Sequence, residues 1–256
     1  MPEIWIGCSG FTGQISTYAR RLSFVELSST FTQKHRKKYI EKLRADGGAL
    51  QFSVKAFYQA THPHSSPLYR QFPFEGPADA RPLLGLFQDS TWVREAYQKT
   101  KEAADLLKAK SILFETPIEF TPSKENQERF LRFFSEIDRA ERLMVWYPRG
   151  PWDLEQMEAV AKKANVVIAY EPQLTPMDDD ERPPEGDIGY FLLRGPSGRR
   201  RRYAAFELES YLRLASQYKQ CFVVFSHDAA FSDATALSQM QKSIPLEDLL
   251  LDEDEE

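Results

Sequence analysis

The stretch Phe52-Ser53-Val54-Lys55-Ala56 sets a lysine at the end of an alternating apolar run, and His62 and His64, two of the chain's four histidines, follow shortly after it. Glu26 stands inside a second apolar run, Phe24-Val25-Glu26-Leu27. A charge within a strand must be paired or face a cavity, because burying it alone is costly. Neighbouring strands would let Glu26 and Lys55 pair with each other. A lysine so placed can hold an anion, or serve as a Schiff-base amine where burial lowers its pKa. Glu26 and Glu115, as carboxylates near a lysine, are the candidate proton-transfer groups. His62, His64 and His227 are too few for a hydrolytic two-metal centre, so no metal is expected. Cys8 lacks a partner-histidine signature and suits core packing better than nucleophilic attack. No other cofactor is expected.

Anion binding has the clearest signal. Gly195-Pro196-Ser197-Gly198-Arg199-Arg200-Arg201-Arg202-Tyr203 directly follows an apolar run, and flexible glycine backbone beside guanidinium forks suits phosphate oxygens. Arg149 and Arg194 end two further runs, and Ser226-His227-Asp228 ends another. With Ser9, His62, Tyr147 and Tyr203, these are the candidate ligand-binding residues. Trp146, Tyr147 and Trp152 are candidates for stacking on a base or sugar, or equally for core packing.

The elements that must position these groups are short, β-rich and apolar: IWIG (4–7), FVEL (24–27), QFSVKA (51–56), SILFE (111–115), RLMVWY (142–147), NVVIAY (165–170), IGYFLL (188–193) and CFVVFS (221–226). Several are apolar at nearly every position, the mark of parallel strands buried on both faces. Helical patterns separate most of them. Residues 34–45 form a basic amphipathic stretch, and Val93, Ala96, Tyr97, Ala103, Ala104 and Leu107 recur at helical spacing. Thr121-Pro122 is expected to open the helix that buries Phe130, Phe133, Phe134 and Ile137, and Asp153 to cap the next. Leu208, Tyr211, Leu212 and Ala215 line another helix. Eight such strands alternating with helices predict a (β/α)8 barrel, in which the βα loops share the site-bearing face. Two connections break the pattern: a long Pro-rich excursion at 57–88, of the kind that forms lids or binding loops, and the acidic, Pro-rich 172–187, a poor helix.

The 256 residues with 42% hydrophobic content suffice for one barrel domain, expected over 1–246, followed by an acidic tail at 247–256. The formal charge of −5 is deceptive, since Asp252 to Glu256 supply five acids and leave the body near neutral. That balance argues against broad nucleic-acid coating while permitting a local basic patch. Two distant cysteines, the absence of a signal-like leader, and the absence of any apolar stretch of membrane-spanning length predict a cytoplasmic protein with no membrane partner. Nothing in the sequence fixes the oligomeric state.

Four motifs together resemble those of the DUF72 family, also called YecE-like proteins. Gly7-Cys8-Ser9-Gly10-Phe11 resembles the family's G-T-S-G-W, and Val25-Glu26-Leu27-Ser28-Ser29-Thr30-Phe31 its V-E-x-N-S-T-F. Phe52-Ser53-Val54-Lys55-Ala56 with Thr61-His62 is similar to its F-x-V-K-A and T-H, and Ile112-Leu113-Phe114-Glu115-Thr116-Pro117 to I-L-F-Q-x-P. The second half departs from the pattern. V-E-F-R-H-x-x-W has become Val145-Trp146-Tyr147-Pro148-Arg149-Gly150-Pro151-Trp152, R-x-H-G has become Leu192-Leu193-Arg194-Gly195, and F-N-N has become Phe225-Ser226-His227. The resemblance implies a barrel of undefined function with Glu26, Lys55 and His62 in its pocket, and no acid–base set on strands five to eight. The leading expectation is therefore a small anionic or phosphate-bearing ligand, with metal-independent hydrolysis as the candidate chemistry. The alternatives are a Schiff-base lyase using Lys55, and a non-catalytic interaction or nucleic-acid-binding protein with a lapsed site.

Overall fold

The computed structural model describes residues 2–172, 182–196 and 202–244. Arg199, Arg200, Arg201 and the acidic tail lie outside the described residues. Eight parallel strands pair in chain order and close: β1 (Glu3–Ser9), β2 (Phe24–Leu27), β3 (Gln51–Lys55), β4 (Ser111–Thr116), β5 (Leu143–Pro148), β6 (Val167–Tyr170), β7 (Ile188–Leu193) and β8 (Gln220–Phe225). β8 returns to β1 with Ile4 opposite Cys221 and Cys8 opposite Phe225. The helices are α1 (Ile15–Tyr18), α2 (Lys37–Asp46), α3 (Leu68–Gln71), α4 (Thr91–Leu107), α5 (Lys124–Glu136), α6 (Leu154–Ala164), α7 (Ala205–Ser216) and α8 (Ala230–Ser243). This is the (β/α)8 barrel that the apolar runs call for. No α-helix occurs among the described residues between β6 and β7. None of the described helices is long and apolar enough to cross a membrane.

Cα packing separates two compact units: Met1–Glu26 with Asp46–Gln51 and Ala169–Glu256, and Leu27–Ala45 with Phe52–Ile168. In the first, Phe24, Tyr190 and Phe222 pack ring against ring at 5.1–6.4 Å, all nearly or fully buried. In the second, Phe87 sits among Phe114, Phe120, Phe130, Phe133 and Phe134, with centroids at 4.9–6.1 Å. Each such ring removes a large apolar area from water and adds edge-to-face contacts.

Helix starts follow local chemistry. The Asp153 carboxylate accepts from the Gln156 amide at 2.8 Å, capping α6 as expected. The cap of α5 is Ser123, whose hydroxyl accepts from the Asn126 amide at 3.2 Å, and not Thr121. Thr121 stays outside the helix, and its carbonyl accepts from the Asn126 side chain instead.

The 57–88 excursion is ordered by its own contacts. Short 3₁₀ turns at Tyr58–Ala60 and Ala78–Leu83 flank α3. Gly85, Leu86 and Phe87 all have positive φ, and their amides donate to the carbonyls of Gln59, Thr61 and Ala60 respectively. A Cβ on Gly85 would lie 2.2 Å from the His62 carbonyl carbon and oxygen, so this turn holds His62 at a separation only glycine permits. The His62 ring is buried, bonded through Nδ1 to the Thr61 hydroxyl at 2.9 Å and set edge-on to Phe31.

Burial pushes the His62 pKa from 6.5 down to about 4, against an upward pull from Glu115. Between those values the unfolded chain binds a proton that the folded chain does not, so stability falls as pH drops through that window. Denaturant melts at pH 7.5 and pH 5 are expected to differ by about 2 kcal/mol from this residue, and His62→Gln to flatten the difference. Gly85→Ala, strained at a φ of 74° and colliding with His62, is expected to destabilise the fold by about 2 kcal/mol or more in the same melts.

Candidate functional site

β3, β4 and β5 deliver their polar residues to one cluster. Lys55 lies opposite Leu113 in the register, and Glu115, two residues further along β4, points to the same side as Leu113 because strand side chains alternate. The Lys55 Nζ meets Glu115 Oε2 at 2.5 Å. Glu115 in turn lies opposite Tyr147, whose hydroxyl accepts from Arg149 Nη1 at 2.7 Å. The Lys55 backbone is fixed by Thr30, whose hydroxyl accepts from the Lys55 amide at 3.0 Å. The ammonium also stands 4.2 Å from the Phe31 ring centroid, a cation–π contact.

The ion pair is only partly shielded: the Lys55 and Glu115 side chains keep 17% and 21% of their exposure. Burial pushes the Glu115 carboxyl up, but the Lys55 ammonium, by charge and by hydrogen bond, reverses this with help from Arg149, and its pKa lies below the usual range. At neutral pH Glu115 is thus a carboxylate, able to accept a proton and not to donate one. His62, neutral at that pH, packs against Phe31 beside this pair. Lys55 and Arg149 outnumber Glu115, leaving the cluster with one positive charge in excess. Trp146 and Trp152 are buried, donating through Nε1 to the Thr116 hydroxyl at 3.0 Å and the Phe120 carbonyl at 2.6 Å. They are core residues, not stacking platforms.

The other unit satisfies its strand-end charges differently. Glu26 is 2% exposed, and its two oxygens accept from the Ser9 hydroxyl at 2.8 Å and the Tyr190 hydroxyl at 2.7 Å. Each charge of the expected Glu26–Lys55 pair has another partner: Glu26 is held by hydroxyls and Lys55 by Glu115. Arg194, at the end of β7, is exposed and lies 3.4 Å from Glu171 at the end of β6. Cys8 is buried, which pushes its thiol up to about 12 and leaves it unreactive.

Beyond β8, the fully buried Asp233 organises a network. It accepts from Arg202 Nε at 2.8 Å and from the Tyr203 amide at 3.0 Å, and it bonds His227 Nε2 at 3.1 Å. A carboxylate thus holds one ring nitrogen of His227, and the other, Nδ1, is buried without a hydrogen-bond partner among the described residues. Gly195, at φ 110°, lies against this ring, where a Cβ would approach the His227 Cβ to 3.1 Å. The Gly195 amide donates to the buried Tyr203 hydroxyl at 2.9 Å. Asp228 is exposed. Among the described residues, no three His, Cys, Asp or Glu side chains group closely enough to hold a metal ion. Tyr190 and Asp233 were not legible as site residues: one hides in an apolar run, and the other reads as an ordinary acid in a helix's first turn.

A family model described as a protein of unknown function, DUF72, matches residues 7–252. No curated protein matches. Among solved structures, the DUF72 family protein EF0366 of Enterococcus faecalis V583 is 15% identical, with a TM-score of 0.64 over 96% of this chain and 99% of that one. The DUF72 family protein TM1631 of Thermotoga maritima is 16% identical, with a TM-score of 0.60 over 94% of this chain and 98% of that one. A xylose isomerase domain containing protein of Salmonella typhimurium LT2 is 13% identical, with a TM-score of 0.57 over 97% of each chain. At these identities the structural likenesses speak for the fold alone. The four strand-end motifs and a family match running almost the length of the chain lead to one conclusion: the protein belongs to the DUF72 family.

Proposed function

We propose that this DUF72 protein binds a small anionic, phosphate-bearing ligand at the C-terminal ends of β3, β4 and β5, with Glu115 as the proton acceptor for metal-independent chemistry on it. The observation that carries this reading is the partly open cluster of Lys55, Glu115 and Arg149, two cations to one carboxylate on adjacent strand ends. A phosphate oxygen can take the outer hydrogens of the Lys55 ammonium while Arg149 supplies a fork beyond Tyr147. Glu115 then has two roles: it orients Lys55 and stands ready beside the bound group. Arg199 and Arg200 support the reading from sequence only. Engagement of the Lys55 Nζ by a carboxylate argues against the Schiff-base alternative, which needs a free amine.

Calorimetric titration with inorganic phosphate, sugar phosphates and mononucleotides tests this reading. Lys55→Ala and Arg149→Ala are each expected to weaken the best of these by about tenfold or more. Glu115→Gln removes the negative charge facing the ligand, so it is expected to tighten anion binding several-fold while abolishing any turnover. An affinity indifferent to all three substitutions would overturn the site. Borohydride treatment in the presence of sugar phosphates or pyruvate is expected to add no mass at Lys55, and a trapped adduct there would reinstate the lyase.

A further inference from the structure

A second opening lies away from the strand ends, between the start of α2 and the outer face of α4. It encloses about 460 Å³, within the range of small-molecule sites. Its floor is apolar, formed by Ile40, Phe57, Ala103 and Leu106. Its rim carries Lys34, Lys37 and Lys99 against Glu102 and Asp105.

Partner contacts separate these charges. Glu102 is 3.5 Å from Lys34, and the Asp105 carboxylate is turned to Lys101 at 3.0 Å and Arg142 at 2.5 Å. Lys37 reaches Glu41 at 3.7 Å on the open surface. Lys99 differs from the rest. It is half-buried, its ammonium stands 5.0 Å from the Phe57 ring, and no carboxylate pairs with it among the described residues. The remaining polar groups add no charge. The Thr30 hydroxyl is used by the β2 and β3 backbones. The His35 Nε2 is bonded to the Ser29 hydroxyl at 2.8 Å, and burial pushes the His35 pKa down. The pocket thus has one uncompensated cation at the edge of an apolar floor.

We infer that this pocket binds an organic anion with a single charged group on a compact apolar body, the charge taken by Lys99 and the body seated on Ile40, Phe57 and Leu106. A hydrated inorganic anion leaves the floor wet, and a neutral apolar molecule leaves Lys99 unpaired, so both halves of the ligand are needed. The site shares only Thr30, which holds the Lys55 backbone, with the Lys55–Glu115 cluster, and its test is independent of that reading.

NMR titration of the intact chain with phenyl phosphate, inorganic phosphate and benzyl alcohol separates the two requirements. Phenyl phosphate is expected to bind at least about tenfold more tightly than either half-probe, with shifts on α2 and α4. Lys99→Met, which keeps the stem over Phe57 and removes the charge, is expected to weaken it by about tenfold. Ala103→Trp, which fills the pocket, is expected to abolish those shifts, and Lys55→Ala to leave them unchanged. Shifts on α2 and α4 that survive both Lys99→Met and Ala103→Trp, or phenyl phosphate shifts confined to β3–β5 and lost with Lys55→Ala, would overturn the proposal.

Discussion

The structure depends on burying both faces of a closed parallel sheet. β2, β4, β7 and β8 are buried at nearly every position, so no strand can carry a polar side chain through its middle without a dedicated partner. Polar chemistry is therefore driven to the strand ends, where loops leave the core. The exceptions inside the runs, Glu26 and Ser53, have their partners built in: Ser9 and Tyr190 for one, the Ser111 carbonyl for the other.

Two solutions to one problem divide the strand-end charges by the use they can be put to. Glu26 is saturated by hydroxyl donors in a dry environment, and moving it would strand both donors as well as the charge. Lys55 and Glu115 neutralise each other at a partly open position, where each keeps hydrogen-bonding capacity unused. The first arrangement is architectural. The second leaves its charges within reach of solvent, which is what the proposed anion site requires.

Fold and site were not equally legible in the sequence. All eight strands could be read because apolar runs of that length, broken by helical periodicity, have few other interpretations. The charge pairings could not. Sequence places Glu26 and Lys55 on consecutive strands, yet the Lys55–Leu113 register puts Glu115 within reach and Tyr190 closes over Glu26 from β7. Register and cross-barrel proximity are three-dimensional facts with no local signature. The same applies to Asp233, six residues after His227 and in the first turn of α8, where an acid ordinarily faces solvent. The α5 start moved by two residues because Ser123 offers its hydroxyl to the Asn126 amide, a choice between two nearby cap candidates that composition alone does not make.

The left-handed turn at Gly85, Leu86 and Phe87 has a kinetic consequence. By tying the Tyr58–His62 segment down through three amides and anchoring Phe87 in a cluster of five phenylalanines, it turns the longest excursion of the chain into a fixed wall. On the proposed reading, a ligand arriving at Lys55 would meet a ready-made surface. Its capture would then be a single bimolecular encounter, with an observed rate rising in proportion to concentration and no plateau set by a gate.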